Sequence, residues 1–336
     1  MRRSLVVGPG LGMVLIVWGL MVPTVVVGQV VETDWTLPRT ADGDPDLQGV
    51  WANNNATPLE RPEKWAGKAS LTDEELASLQ VAALGAVGDG DALFGDQLVL
   101  AAIEGIEATS YDPTTGNYNQ FWIVERNFTD RTSLVVDPPD GRIPDLTPQA
   151  RARRREAADY RRVHPADSYA DRPLQERCVT YGVPTLGAGY NSYYQIFQSA
   201  DYVVILNEMI HDARVIPMTG QPHLPEDVRQ LHGDSRGYWE GDTLVIETTN
   251  YSASASFRGS SDALTMVERL TRVAPAVLDY EVTLKDSTTW TRPWTVLIPL
   301  TGSEEPMFEY ACHEGNIGME GILAGHRAEE RAARSR

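Results

Sequence analysis

The sequence predicts a mainly β protein, an antiparallel meander closing into a lipocalin-like barrel or splitting into a sandwich, with several peripheral helices. Three observations carry this. Residues 190–312 break into short stretches rich in β-branched and aromatic residues. Within them Leu278, Tyr280, Val282 and Leu284 alternate strictly with Asp279, Glu281, Thr283 and Lys285, giving one buried face and one wet face. The connections are too short for crossover helices, so neighbouring strands must run antiparallel. A meander of that length closes or splits, because an open edge invites pairing with other chains.

The elements follow in order. A turn-rich stretch, 37–46, leads to the apolar run Leu47–Trp51. Thr72 followed by Glu75 is a capping box and starts a helix to about Leu84. Glycines 85, 88, 90 and 95 interrupt the chain before an apolar helix-like patch at 98–106. Strands are expected at 121–125 and 132–136, then a turn at Asp137-Pro138-Pro139-Asp140-Gly141. Thr147 caps a helix with Pro148 at its first position. Further strands are expected at 193–198, 202–208, 213–218, 237–240, 243–250, 264–273, 277–285, 290–300 and 307–312. Asn316 caps a C-terminal helix from Ile317 to about Arg334. The domain reading is a signal peptide at 1–28, an irregular and helical segment at 29–118 packed on the barrel, the barrel domain at 119–316 with an inserted helix near 148–163, and the C-terminal helix at 317–336.

Composition narrows the function. The 336 residues are 42% apolar and 23% charged, which excludes disordered, collagenous and coiled-coil chains. Aspartate plus glutamate is 47 against 29 lysines and arginines, a net charge of −18. So acidic a chain repels phosphate backbones and anionic lipid, so no nucleic-acid partner is expected. The arginine-rich helix at 148–163 reads as a solvated face. The sequence holds no P-loop, no GxSxG elbow and no GxGxxG after a strand.

The N-terminus has the layout of a secretory signal. Arg2 and Arg3 precede an apolar stretch from Leu11 to Val27, and Val26 and Gly28 occupy the small-residue positions before Gln29. The expected address is secreted or periplasmic, with no membrane association after cleavage, the alternative being a segment retained as a membrane anchor. The cysteines, Cys178 and Cys312, both lie in the exported part. In an oxidising compartment they read as one structural disulfide, the alternatives being a reactive thiol or a metal ligand.

Chemistry in a barrel is sought among polar residues that share a face with the core. Glu268 falls in the register of Leu264, Met266 and Leu270, and Arg292 in that of Trp290, Trp294 and Val296. Both charges therefore fall on the inward face, where they pair with one another or line a tryptophan-walled cavity, unless a bulge turns one of them outward. Arg236 and Tyr190 join Glu268, Arg292, Trp290 and Trp294 as candidate substrate-binding residues. For acid–base work the candidates are His211, His313, Asp234 and Glu314, at strand ends, since imidazole titrates near neutrality and a carboxylate fixes its tautomer. No cofactor is expected. A metal stays open, but no HExxH or paired CxxC spacing supports one.

Several strings are specific as a set: Asp137-Pro138-Pro139-Asp140-Gly141-Arg142-Ile143-Pro144, Glu176-Arg177-Cys178, Gly233-Asp234-Ser235-Arg236-Gly237, Trp239-Glu240-Gly241-Asp242-Thr243-Leu244-Val245 with Glu247-Thr248-Thr249-Asn250, and Tyr310-Ala311-Cys312-His313-Glu314-Gly315-Asn316. With them the chain resembles, over residues 36–330, a large and mostly uncharacterised family of exported bacterial proteins. That resemblance implies location and approximate architecture alone. The function expected is binding of a small organic molecule, with hydrolysis or elimination by a histidine base. The alternatives are a non-catalytic carrier and a structural or surface-interaction protein.

Overall fold

The structure is a computed structural model that describes residues 35–87, 92–105, 123, 125–182, 184–188, 190–255 and 257–335. The expected signal peptide and most of the expected strand at 121–125 lie outside these residues. Ten strands form one sheet, nearly closed into a barrel: β1 (Gly49–Ala52), β2 (Val135–Asp137), β3 (Tyr193–Gln198), β4 (Tyr202–Asn207), β5 (Ala213–Pro217), β6 (Asp234–Glu240), β7 (Thr243–Thr249), β8 (Thr265–Ala274), β9 (Val277–Lys285) and β10 (Trp294–Ser303). Among the described residues four α-helices lie outside it: α1 (Asp73–Ala86), α2 (Gln97–Glu104), α3 (Pro148–Val163) and α4 (Ile317–Arg334).

The strand order is β5-β4-β3-β1-β10-β9-β8-β7-β6, antiparallel at every step. Strand β1 comes from the segment expected merely to pack on the barrel, yet it joins β3 to β10. It covers one stretch of β10, and β2 pairs with the earlier stretch at Thr295 and Val296. Nine strands make an odd circuit, so the first and last, β5 and β6, run parallel, unlike the eight-stranded lipocalin plan. At this seam the side chains of Ile216 and Met218 close on the backbone of β6. A Cβ on Gly237 would run into Met218 and lie 3.0 Å from Ile216, so the position has room for a glycine.

Alternation does what the pattern predicted. Leu278, Tyr280, Val282 and Leu284 are buried, and they meet Trp294, Val296, Ile298, Leu244, Ile246, Met266 and Leu270 in one core. Helices α1 and α2 have smaller clusters of their own, around Leu79, Ala83, Leu98 and Val99. Arg126 donates to the Asn55 and Gly95 carbonyls there, and burial lowers its pKa to about 10. The capping box at Thr72 and Glu75 and the Thr147 and Asn316 caps form as the sequence indicates. Cys178 and Cys312 are bonded, closing a span of 134 residues. Among the described residues no helix is long and apolar enough to cross a membrane.

Several boundaries differ, and the strand expected at 132–136 begins only at Val135. The strand expected at 237–240 begins at Asp234, because Asp234 and Ser235 already pair with Thr249 and Thr248. The strand expected at 290–300 begins at Trp294, after a turn held by Asp286, which accepts from Ser261, Thr288 and Thr289. No strand forms at 307–312, where Cys312 is tied to Cys178 instead.

Register sorts the loops. Strands β3, β5, β6, β8 and β10 all start at one end of the barrel, and the other strands of the circuit finish there. Hairpins of a few residues, at 199–201, 241–242 and 275–276, close the opposite end. Among the described residues, the connections between β7 and β8 and between β9 and β10, and the chain where it leaves β1 and β2 and enters β3, meet the barrel at the first end, which is therefore the place a rigid scaffold offers for function.

Candidate functional site

Inside the barrel, Glu268 is fully buried, as its register requires, and its partner is Arg214 on β5, not Arg292. Two guanidinium nitrogens donate to the two carboxylate oxygens at 2.6 and 2.7 Å, and the Tyr280 hydroxyl donates to Glu268 as well. Burial disfavours the Arg214 charge, but Glu268 outweighs it and drives the guanidinium pKa up; burial and then Glu268 raise the Tyr280 phenol well above its usual range. Both therefore stay protonated donors. The expected inward Arg292 is a correction: it precedes β10, its side chain is 52% exposed, and it pairs with Asp137 at 2.9 Å.

At the loop end lie Trp290, just before β10, and Trp294, its first residue. Trp290 and Trp294 meet edge to face with ring centres 5.5 Å apart, and both are buried. They floor a cavity of about 470 Å³ whose other walls include Ile143, Leu146, Glu60, Asp145, Arg154 and Arg258. The Trp294 indole N–H has no hydrogen-bond acceptor among the described residues, although the residue is fully buried. A buried donor left unpaired costs about 1–3 kcal/mol. The cations of this cavity, Arg154 on α3 and Arg258 on a loop, were not singled out from the sequence. The arginine-rich pattern of α3 was the available signal for Arg154. Tyr190 is elsewhere, packed edge to face on Phe94.

The histidines form a second group at the same end. The β4–β5 turn holds Ile210 and His211 in successive left-handed conformations, φ 59° and 47°, a strained pair for non-glycine residues. The Asn207 backbone and side-chain N–H groups both donate to the Asp212 carbonyl, which tightens the turn. His211 Nδ1 donates to the Tyr310 carbonyl at 3.0 Å, and its ring lies 6.0 Å from that of His313. Buried Asp212 accepts from Thr180 at 2.6 Å and faces His232 Nε2 at 3.2 Å. So His211 and His313 do come together.

Asp234 pairs elsewhere. It accepts from the Leu224 N–H, faces His223 Nδ1 at 2.9 Å and binds Arg236 at 2.6 Å. Arg236 also donates to the Pro222 and Ser235 carbonyls, so it fastens the 218–233 connection to β6 and has no place in the tryptophan cavity. Glu314 is exposed. Asp212, His232 and Glu208 join this end of the barrel without being among the site residues expected from the sequence. One Glu208 carboxylate oxygen is buried without a hydrogen-bond partner among the described residues, and burial raises the pKa of the carboxyl.

For a metal, Asp167, His326 and Glu330 bring ligand atoms within 4.8 Å of one another. Arg327 already sits 2.8 Å from Glu330 and 4.0 Å from Asp167, supplying positive charge there. A further cavity of about 480 Å³ lies beside the disulfide, between Glu176, Tyr310, Asn316 and Met319. In comparisons with known proteins, no family model, curated protein or solved structure matches the chain.

Proposed function

We propose that the chain is an extracytoplasmic protein that binds a small organic molecule in the tryptophan-floored cavity at the loop end of its barrel. The observation that carries the reading is the cavity itself, about 470 Å³ between Ile143, Leu146, Glu60, Arg154 and Arg258 and backed by the buried Trp290 and Trp294. A volume of about 470 Å³ falls within the range of small-molecule sites. The disulfide, the acidic charge and the signal-like N-terminus support the location.

Binding without turnover fits this cavity better than catalysis, because its ionisable lining is Glu60, Asp145, Arg154 and Arg258, with no histidine. Native mass spectrometry of the purified full chain tests the reading. A small molecule that accompanies the protein, leaves chemically unchanged and is lost in Trp294→Phe is the expected result. Absence of any such molecule, together with no thermal stabilisation by a panel of small organic acids, alcohols and amides, would overturn it.

An enzymatic reading draws on a different observation, the buried Asp212 that holds His232 and is itself held by Thr180. Such a carboxylate fixes an imidazole as a general base. Chemical change of the accompanying molecule by the wild type, lost in His232→Gln, would favour catalysis.

A further inference from the structure

Helix α4 has no buried residue, so apolar burial is not what holds it to the rest of the chain. Its contact with the segment after α3 is polar. Arg327 donates to the Ala166 carbonyl at 3.1 Å and to the Asp167 carbonyl at 2.9 Å, which sets Asp167 opposite His326. Glu330, four residues after His326, lies on the same face of the helix.

At that junction His326 Nε2 faces two carboxylate oxygens, Asp167 Oδ1 at 3.8 Å and Glu330 Oε1 at 3.4 Å. The imidazole is only 18% exposed. Two acceptor oxygens around one ring nitrogen call for a positive charge between them, a proton or a metal ion. A shared proton draws nitrogen and oxygen to about 2.7–3.2 Å. Ligands bound at about 2.0–2.2 Å to one tetrahedral ion stand roughly 3.3–3.6 Å apart. The two separations here lie nearer the second arrangement, and the three ligand atoms are all within 4.8 Å of one another.

The surrounding groups hold these ligands in place. His164 Nδ1 is 2.7 Å from Asp167 Oδ2, which leaves Oδ1 turned towards α4. His326 Nδ1 faces Glu329 Oε2 at 3.7 Å, and a carboxylate on that side of the ring is a common companion of metal-bound histidine. Three carboxylates, Asp167, Glu329 and Glu330, thus surround the imidazole, and Arg327 is the one guanidinium paired with them among the described residues. A carboxylate has lone pairs enough for both an arginine and an ion.

We propose that Asp167, His326 and Glu330 form a site for one divalent transition-metal ion such as zinc, which clamps α4 to the segment following α3. One imidazole with two carboxylates suits such an ion better than magnesium, which takes oxygen ligands. The site is separate from the tryptophan-floored cavity and does not depend on what that cavity binds.

Calorimetric titration of the full, disulfide-bonded chain with zinc chloride, after treatment with a chelator, tests the site. One zinc ion per chain is expected, bound far more tightly than magnesium. His326→Ala and Asp167→Asn are each expected to weaken zinc at least about tenfold. His313→Ala, which breaks up the other histidine pair, is expected to leave it unchanged. Urea unfolding with chelator present checks that the variants fold as the wild type does, and zinc is expected to slow amide exchange along α4. No saturable binding up to millimolar zinc, binding that survives both His326→Ala and Asp167→Asn, binding lost in His313→Ala, or magnesium bound as tightly as zinc overturns the site. Unchanged exchange in α4 with zinc bound overturns the clamp.

Discussion

Arg214 and Glu268 meet across the barrel interior through two N–H···O bonds of 2.6 and 2.7 Å, joining β5, beside the seam, to β8. Both side chains are almost wholly withdrawn from water, 3% and 0% exposed. The pair therefore spans the weakest point of the circuit, where β5 and β6 run parallel.

Breaking the pair should cost far more than replacing it. Glu268→Gln leaves a buried guanidinium uncompensated and is expected to lower unfolding free energy by about 3–5 kcal/mol. The double change Arg214→Met with Glu268→Leu is expected to recover most of that loss, because it removes both desolvation penalties together. Urea unfolding of the single and double variants checks this, and a loss below about 1 kcal/mol in Glu268→Gln would contradict the buried pair.

The Cys178–Cys312 bond makes a second prediction. It closes 134 residues, and in the chain-entropy treatment a loop of that length is worth roughly 5 kcal/mol. Replacing both cysteines with alanine should lower stability towards that figure. It should also loosen the histidine group, since Thr180 holds Asp212 just past Cys178, and the Tyr310 carbonyl holds His211 just before Cys312. Amide exchange at residues 178–182 and 310–313 should quicken more than in β9.

The fold was legible where one residue type dictates one geometry. Strict alternation from Leu278 to Lys285 fixed the face of β9, and Thr72, Thr147 and Asn316 announced their helices. Register misled once the strand boundary moved: counting back from Trp294 to Arg292 assumes strand through Pro293, but the Asp286 turn delays β10 until Trp294. Glu268 was placed correctly, whereas its partner lies 54 residues away on a strand whose position depends on barrel closure. Local pattern carries no information on that. For the same reason His211 and His313 could be nominated together, while the Asp234–His223 pairing and the convergence of Arg154 and Arg258 on the tryptophans could not be foreseen.

Closure itself can be probed at Gly237. A side chain there meets Met218, which is flexible, and Ile216, which is buried in the core. Gly237→Ala should be mildly destabilising, and Gly237→Val should cost roughly 1–3 kcal/mol as β5 and β6 are forced apart. A thermal melt in which the valine variant matches wild type would mean that the seam is more open than a 3.0 Å approach allows.

Acid should weaken the strap that runs along this seam. Burial alone would raise the Asp234 carboxyl, but the Leu224 N–H, His223 and Arg236 together hold it below its ordinary value of 3.8. A carboxyl depressed in the folded state binds its proton less readily than in the unfolded chain. Its contribution is therefore complete above the unfolded value and disappears as pH falls through the lower folded value. The wild type should be more stable than Asp234→Asn at about pH 6, and the advantage should shrink below about pH 4. His223→Ala should reduce the same pH-dependent difference by removing one of the groups that favour the carboxylate. Urea midpoints across the acid range measure it. A difference between wild type and Asp234→Asn that stays constant from neutral pH to pH 3 would show that this carboxylate is not what ties the 218–233 connection to β6.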